Sequence, residues 1–460
     1  MLLDLTPQEL NHLLDKSEIT FSVFGLGRVG LPLAVAWLRA GQVVIGVDVN
    51  PEIVDKINKG ISPIPDEANL PESVEKFVHC GLFSATTDLV EASEKSDIKL
   101  IAVPTTPRQG KRYCSDALEK TLIIIGRSLK IGDAISIECS VPPTTTEKWA
   151  RPILEGESGL KADEEFALAF SPQRIYEGRA LEDLEERYPK IVGGVGPRST
   201  EFFASIYRRI ARKGVLMMSN SIAAELSKLF EGVYRDVNIA LANELATVCD
   251  ALDLNYHEIR GASNSQPFCH LHKPGVGVGG ACIPCYPAFL QGKAGQLGLS
   301  LHLTKVARVI NEGMPTYTIS KARETLRTIG KDIKEVKTSI LGLAFRGEVA
   351  DTRNSPSYEL VEILGGYGTE IVVHDPLIEK DEILEDLGIP LVDSLKEAFS
   401  SASLIVIATD HEIYTELDLN EIVGLVDKPA VIIDGRNMIK TSRVPRDLII
   451  MGIGKRSLGL

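Results

Sequence analysis

The stretch PGVGVGGACIPCYP, residues 274 to 287, sets glycines beside two cysteines. Gly275, Gly277, Gly279 and Gly280 give the chain room to turn and to bring bare backbone N–H groups against something anionic. Cys282 follows at once, and Cys285 comes after it at the spacing of a redox or metal pair. Cys282 is therefore open to three readings: nucleophile, metal ligand or packed thiol. Cys269, His270 and His272 just upstream extend the metal option, because cysteine and histidine with CxxC spacing suit tetrahedral zinc. A zinc ion would occupy Cys282 and remove its free thiolate, and a Cys282–Cys285 disulfide would do the same.

A second cluster lies near the N-terminus. VFGLGRVG supplies Gly25-x-Gly27-x-x-Gly30 directly after a predicted strand and before the apolar pattern LPLAVAWL. Gly25 permits the tight turn, Gly27 lets a pyrophosphate approach the backbone, and Gly30 allows close packing of helix on strand. The phosphates would lie on the helix N-terminus, where free N–H groups and the helix dipole favour negative charge. Arg28, inside the motif, is placed either to touch a phosphate or to stand as a solvated surface charge. Eighteen residues beyond Gly30, Asp48 ends the strand VVIGVDVN. A carboxylate there accepts hydrogen bonds from ribose hydroxyls and repels a 2′-phosphate, so NAD is the expected cofactor. Val29 in the motif and Val103, at the end of IKLIAVP, join the expected cofactor contacts.

Such residues need a scaffold that presents strand ends and helix starts together. Between residue 18 and about residue 213, TFSVFGLG, QVVIGVDVN, IKLIAVP, AISIECS, FALAFS and KIVGGVG alternate with helical patterns. That alternation predicts a parallel sheet with helices on both faces. Residues 221 to about 254 carry helical periodicity with small residues interspersed, long for a globular helix, and predict a surface that packs on a second copy. From about 336 the strand pattern returns in KTSILGLAFRG, TEIVVHDP, SLIVIATD and PAVIIDGRN, after a helix and charged connector near 315 to 336. A chain of 460 residues suits two or three domains, and 44 % apolar content supports a large core. A formal net charge of −13 argues against a general nucleic-acid binder. No uninterrupted apolar run approaches the roughly 18 residues of a membrane span. The opening MLLDLTPQELNHLLDKSEIT has no signal-peptide pattern, and seven cysteines read as mostly reduced thiols, so a cytoplasmic protein is expected.

Ordered motifs run the length of the chain: FGLGRVGLPLA, AAELSKLFEGVYRDVNIALANELA, the cysteine loop, ARVINEGMP, ILGLAFRGEVADTRNSP, HDP and IIDGRN. With them the chain resembles the nucleotide-sugar 6-dehydrogenases, the UDP-glucose/GDP-mannose dehydrogenase family. It looks closest to the UDP-N-acetylmannosamine and UDP-N-acetylglucosamine branch. The resemblance implies an α/β fold of two Rossmann-like doubly wound domains joined by a long central helix. It places an NAD domain over residues 1–213, a central dimerisation and active-site region over 214–320, and a UDP-sugar domain over 321–460. It implies NAD-dependent oxidation of a sugar C6 alcohol to an aldehyde, which Cys282 traps as a thiohemiacetal. A second oxidation then gives a thioester, and water releases the uronic acid. The family has no zinc at this loop, so no metal is expected.

Residue by residue, Lys228 matches the family's catalytic lysine, whose ammonium would stabilise oxyanion character. As an ordinary helix lysine it would instead pair with Glu225. Ser140, in ECSVPP, stands where the family usually has threonine and could orient a water. Arg235 and Asn238 match positions on the central helix. Arg346 stands where lysine is usual, Arg353 matches an arginine near the cofactor, and Arg436 matches a nucleotide-sugar contact. The loop glycines would cradle the sugar nucleotide.

The chain also departs from the family pattern. The glutamate that handles water is Gln173, in SPQRIYEG, and glutamine can position a water but cannot take its proton. The helix asparagine four residues after the lysine is Gly232, and the acid four residues after the cysteine is Tyr286. The histidine before the cysteine is Ala281, the expected NxxPR arginine is Phe268, and VPTTPRQGKRYCSD carries an extra residue. Glu177 and Glu138 are the candidate substitute bases. Their failure would leave a relative that binds NAD and a nucleotide sugar without completing the reaction.

Overall fold

The computed structural model describes residues 1–105, 116–440 and 443–459. Residues 106 to 115, and with them the extra residue expected in VPTTPRQGKRYCSD, lie outside that set. Among the described residues the first sheet contains β1 (Thr20–Phe24), β2 (Val43–Val47), β3 (Phe83–Thr86) and β4 (Ile98–Ile101). It continues with β5 (Ala134–Ile137), β6 (Ala167–Phe170), β7 (Lys190–Gly194) and β8 (Val215–Met217). The strand order is β3-β2-β1-β4-β5-β6-β7-β8. Its pairs are parallel except β6 with β7, which run antiparallel. A parallel return needs a crossover. The link from β6 to β7 holds only the short turns Ala180–Glu182 and Asp183–Arg187, so β7 enters reversed. β7 and β8 thus run against the otherwise parallel sheet that the sequence predicts.

Alternation along the strands feeds two cores. Phe21 and Val23 of β1, with Leu100 of β4, pack among residues of the helices Gly30–Arg39 and Pro197–Tyr207. Phe24, Ile101 and Ile137 join a separate core with the helix Asp116–Ser128. The sheet is therefore covered on both faces, as a doubly wound fold requires. One strand buries a charge: Lys99 on β4 meets Asp133, just before β5, at 2.6 Å, and also donates to the Ser96 carbonyl.

The second sheet contains β9 (Lys337–Leu341), β10 (Glu370–His374), β11 (Leu391–Val392), β12 (Ala402–Ile407), β13 (Ala430–Asp434), β14 (Leu448–Gly452) and β15 (Lys455–Leu458). Its order is β11-β10-β9-β12-β13-β14-β15, parallel but for the last pair. Ile340, Val406 and Ile433 face a core that holds Met314 and Leu326 of the helix His302–Thr328. Leu341, Ile407 and Ile432 face another that holds Phe399 and Tyr414.

The long central helix runs Ser221–Ala251. It stops short of the expected residue 254 because Asp253 takes φ +50 and the Leu254 N–H bonds back to the Cys249 carbonyl, a left-handed cap. Two compact units divide inside this helix, one of described residues up to Glu231 and the other from Gly232 onward. Among the described residues no helix is long and apolar enough to cross a membrane.

Candidate active site

In the first unit the glycine motif closes the turn after β1. Gly25 sits at φ +93 and its N–H donates to the Val47 carbonyl at 2.7 Å. A Cβ there would lie 2.7 Å from the Ala102 carbonyl oxygen, and one on Gly30 would lie 1.7 Å from that of Gly25. Gly27 differs, since a Cβ on it would meet nothing within 4 Å, and the backbone is open on that side. The helix Gly30–Arg39 follows with Val29 as an N-cap that makes no side-chain capping bond. Asp48 accepts the Leu26 N–H on one oxygen and the Asn50 N–H on the other, both at 2.9 Å. Its remaining lone pairs suit ribose hydroxyls. Open backbone at Gly27, an uncapped helix start and a placed carboxylate together fit a dinucleotide. Val103 lies half-buried beyond β4. Arg28 is partly buried and ion-paired to Asp66 at 2.8 Å and Glu177 at 3.8 Å.

Past the carboxyl end of β5 a buried polar cluster takes shape. Glu138 accepts from Ser136 at 2.6 Å and from the Tyr207 hydroxyl on one oxygen. Its other oxygen takes the Lys190 ammonium at 2.9 Å and the Gln173 amide at 2.6 Å. Burial lowers the Lys190 pKa and raises that of Tyr207. The Gln173 Nε2 is committed to Glu138, while its Oε1 is buried without a partner. Gln173 and Lys190 line a recess of ≈ 10 Å³, close to the least space one water needs. These contacts remove Glu138 as a substitute base, because a base needs a reachable lone pair and this carboxylate is enclosed by donors. Glu177 fails for a related reason, since its charge already faces Arg28. Ser140 holds its carbonyl on the Thr105 hydroxyl at 2.6 Å.

Lys228 lies half-buried on the central helix, and its charge is felt at Lys190. The alternative partner Glu225 is occupied otherwise. Its carboxylate accepts the backbone N–H groups of Thr144 at 2.5 Å and Thr146 at 2.7 Å, and burial pushes its pKa up to about 7. Thr144 carries φ +78, which a β-branched residue adopts only under strain.

In the second unit the glycine loop is packed instead of open. A Cβ on Gly275 would lie 2.9 Å from the Arg436 guanidinium, one on Gly277 2.8 Å from Pro356, and one on Gly279 2.7 Å from Phe345. The N–H groups of Gly275 and Gly280 are spent on Asn243 Oδ1 and the Arg353 carbonyl. These glycines let the loop lie close on the second sheet's connections. Behind the loop runs a relay of buried polar side chains that the motifs do not announce. Asn243 donates to Asn311 at 2.9 Å, Asn311 donates to Asp236, and Arg308 closes on Asp236 at 2.7 Å. Its signal in the sequence is an asparagine and an aspartate at buried positions of apolar helices.

The loop delivers two unlike cysteines. Cys282 is exposed, and its carbonyl accepts the N–H groups of Cys285 and Tyr286. Cys285 is buried, which pushes its thiol up to about 11. Both thiols are free, so the pair forms no disulfide. The upstream residues turn elsewhere: Cys269 faces Asn264, and the His270 and His272 rings meet edge to face at 5.3 Å. Among the described residues no three His, Cys, Asp or Glu side chains gather as a metal site. Phe268 is 94 % exposed.

Of the other expected contacts, Arg235 is exposed and Asn238 donates to the Tyr234 carbonyl of its own helix. Arg436 reaches the Ala408 carbonyl at 2.8 Å, and Arg346 lies over the Phe345 ring. Arg353 pairs with Asp351 in the second unit and touches the glycine loop through its carbonyl.

Comparison with known proteins gives three consecutive matches to the UDP-glucose/GDP-mannose dehydrogenase family. Its NAD binding domain matches residues 19–211, its central domain 222–313 and its UDP binding domain 339–441. The UDP-N-acetyl-D-mannosamine dehydrogenase of Pyrococcus horikoshii is 34 % identical over 94 % of this chain and 99 % of its own. The NDP-N-acetyl-D-galactosaminuronic acid dehydrogenase of Ralstonia nicotianae is 32 % identical over 95 % and 100 %. The solved structure of the P. horikoshii UDP-D-ManNAc dehydrogenase superposes with a TM-score of 0.86, at 32 % identity, covering 95 % of this chain and 99 % of that one.

Proposed function

From the premise that the chain belongs to the UDP-glucose/GDP-mannose dehydrogenase family, we propose that it oxidises a UDP-N-acetylhexosamine at C6 to the uronic acid with NAD. The observation that carries this reading is the exposed Cys282 thiol on a tightly packed glycine loop, in a chain alike over nearly its whole length to UDP-N-acetyl-D-mannosamine dehydrogenases. The open backbone at Gly27, the helix start at Gly30 and Asp48 would hold the cofactor. Two NAD molecules, bound in turn, would each accept one hydride.

The chain's own residues do the rest. The Lys228 ammonium steadies negative charge on the sugar oxygen as the C6 alcohol loses its proton. The Cys282 thiolate adds to the resulting aldehyde carbon, and the thiohemiacetal presents a second C–H bond for oxidation. Water then cleaves the thioester to a carboxylate and the free thiol. Ser140 and the buried Gln173 are the polar groups assigned to that water, together with Arg235, Asn238, Arg346 and Arg436 for the sugar diphosphate. Arg353 is assigned to the cofactor, as the family resemblance has it. The domain assignment follows as NAD over 1–213, the active-site and dimerisation region over 214–320, and UDP-sugar over 321–460.

A homodimer belongs to the same reading. Tyr234, Leu241, Leu245, Val248 and Leu252 form an exposed apolar stripe along the central helix at spacings of three, four and seven residues. A face of that kind is buried in a stable assembly.

A second reading has a specific observation behind it. Gln173 cannot take a proton from water, and Glu138 is enclosed by donors, which favours a chain that stops before hydrolysis. The deciding experiment measures NADH formed per sugar consumed, with NAD and UDP-glucose, UDP-N-acetylglucosamine or UDP-N-acetylmannosamine, and identifies the product by mass. Two NADH and a uronic acid, lost in Cys282→Ser, are the expected result. One NADH and an aldehyde, or binding without turnover, would move the assignment to the second reading.

A further inference from the structure

Two departures from the family pattern meet in space. Gly232 is buried on the central helix, and a Cβ built on it would lie 2.1 Å from Cδ2 of Tyr286, with Cε2 at 3.0 Å and Cγ at 3.1 Å. The Tyr286 side chain is 2 % exposed, so its ring is enclosed and cannot swing into solvent. Ordinary van der Waals contact begins at 3.4 Å, so any side chain at 232 would force the ring back by more than 1 Å. The glycine is thus required by the tyrosine, and the tyrosine fills the room the glycine leaves. What the resemblance counts as two separate losses is one size exchange.

Tyr286 also touches the reacting turn. It opens the helix Tyr286–Gln296, and its N–H donates to the Cys282 carbonyl at 3.1 Å, beside the Cys285 N–H at 3.0 Å. Cys282 has an exposed side chain and so little packing of its own to hold it. The backbone of its turn is held instead at the far end, where the Cδ2 edge of the Tyr286 ring points at Gly232 closely enough to exclude a methyl group. We infer that Gly232 and Tyr286 work as one unit that sets the Cys282 turn against the central helix, with Tyr286 as a positioning residue. This rests on the reading of Cys282 as the reacting thiol.

A double-mutant cycle tests it, with NAD and UDP-N-acetylmannosamine for turnover and iodoacetamide labelling of the Cys282 peptide for geometry. Misplacing a reacting group by about 1 Å costs on the order of 10²-fold in rate. Gly232→Ala and Tyr286→Ala are each expected to lose about that factor in kcat with KM for the UDP-sugar unchanged, and to alter the labelling rate of Cys282. The double variant should lose no more than either alone, because the ring supplies the nearest atoms the added methyl would strike. Tyr286→Phe keeps the ring and should keep both the rate and the labelling. Independent losses that multiply to about 10⁴-fold, or wild-type labelling in Gly232→Ala, would overturn the inference. Should Gly232→Ala fail to fold, recovery of its folded yield by Tyr286→Ala supports the pairing and no recovery overturns it. Full turnover in Cys282→Ser would sink the reaction reading by itself, while the labelling cycle would still judge the pairing.

Discussion

Restoring the family's glutamate at position 173 should harm this protein in a pH-dependent way. The Gln173 amide nitrogen sits 2.6 Å from a Glu138 oxygen, in a site where both side chains are buried. Gln173→Glu replaces that N–H donor by a carboxylate oxygen, and two carboxylates at this range do not both ionise. At an effective dielectric constant near 20, like charges about 4 Å apart repel by about 4 kcal/mol. That corresponds to a shift of roughly three pH units, from about 4.3 to about 7. Lys190, 2.9 Å from Glu138, spreads its charge over the pair and trims the effect to about 2–4 kcal/mol. The folded variant then holds a proton that the unfolded chain has released between those values. Stability therefore falls as pH rises through that window and levels off above it, about 2–4 kcal/mol lower. The assay is urea unfolding at pH 5.5 and 8.5. Intrinsic fluorescence suits it, because Trp37 and Trp149 both lie in the unit that holds the site. A loss at pH 8.5 about twice that at pH 5.5 is expected. An equal loss at both pH values, or none, would refute the claim that Glu138 dictates an amide at 173.

Two further outcomes concern the same unit. Glu225 is held near pKa 7 by burial against an ordinary value of 4.5, so its carboxyl opposes folding increasingly as pH rises from 4.5 through 7. In Glu225→Gln that slope should disappear, changing the stability difference from the parent by about 3 kcal/mol between pH 4.5 and 8, and parallel profiles would count against it. Thr144→Gly relieves about 1–2 kcal/mol at φ +78, keeps the N–H bond to Glu225, and gives back about 0.5–1 kcal/mol through the looser unfolded chain. Its unfolding midpoint should rise slightly, and a lower midpoint would show that Thr144 is not strained.

The strands that the sequence announced are those buried on both faces. IKLI, AISI and ALAF are apolar runs because each must satisfy two cores at once, and the pattern survives without any structure. Strands such as FSAT of β3 and the two-residue β11 carry too few residues for a pattern, and sheet neighbours define them. The glycine turn at residues 25 to 30 was legible because its chemistry is local. The enclosure of Glu138 was not, since Gln173 and Lys190 lie 35 and 52 residues away and only the fold brings them in. The same holds for the loop glycines, whose type was plain but whose purpose depended on Arg436, Pro356 and Phe345 arriving from the second sheet. Arg28 showed its charge in the sequence, whereas Asp66 and Glu177 beside it did not.

The Lys99–Asp133 pair has a meaning for how the first sheet assembles. Its central strands are short and, apart from Lys99 and Ser136, apolar, so sliding one past another by two residues would still bury their methyl groups. The ion pair breaks that degeneracy. Only one alignment of β4 brings the Lys99 ammonium to the Asp133 carboxylate, and any other leaves two charges stranded in an apolar interior at a cost of about 3–5 kcal/mol. The pair is an index mark on an otherwise featureless ruler: it contributes little to how firmly the sheet holds, and much to which sheet forms.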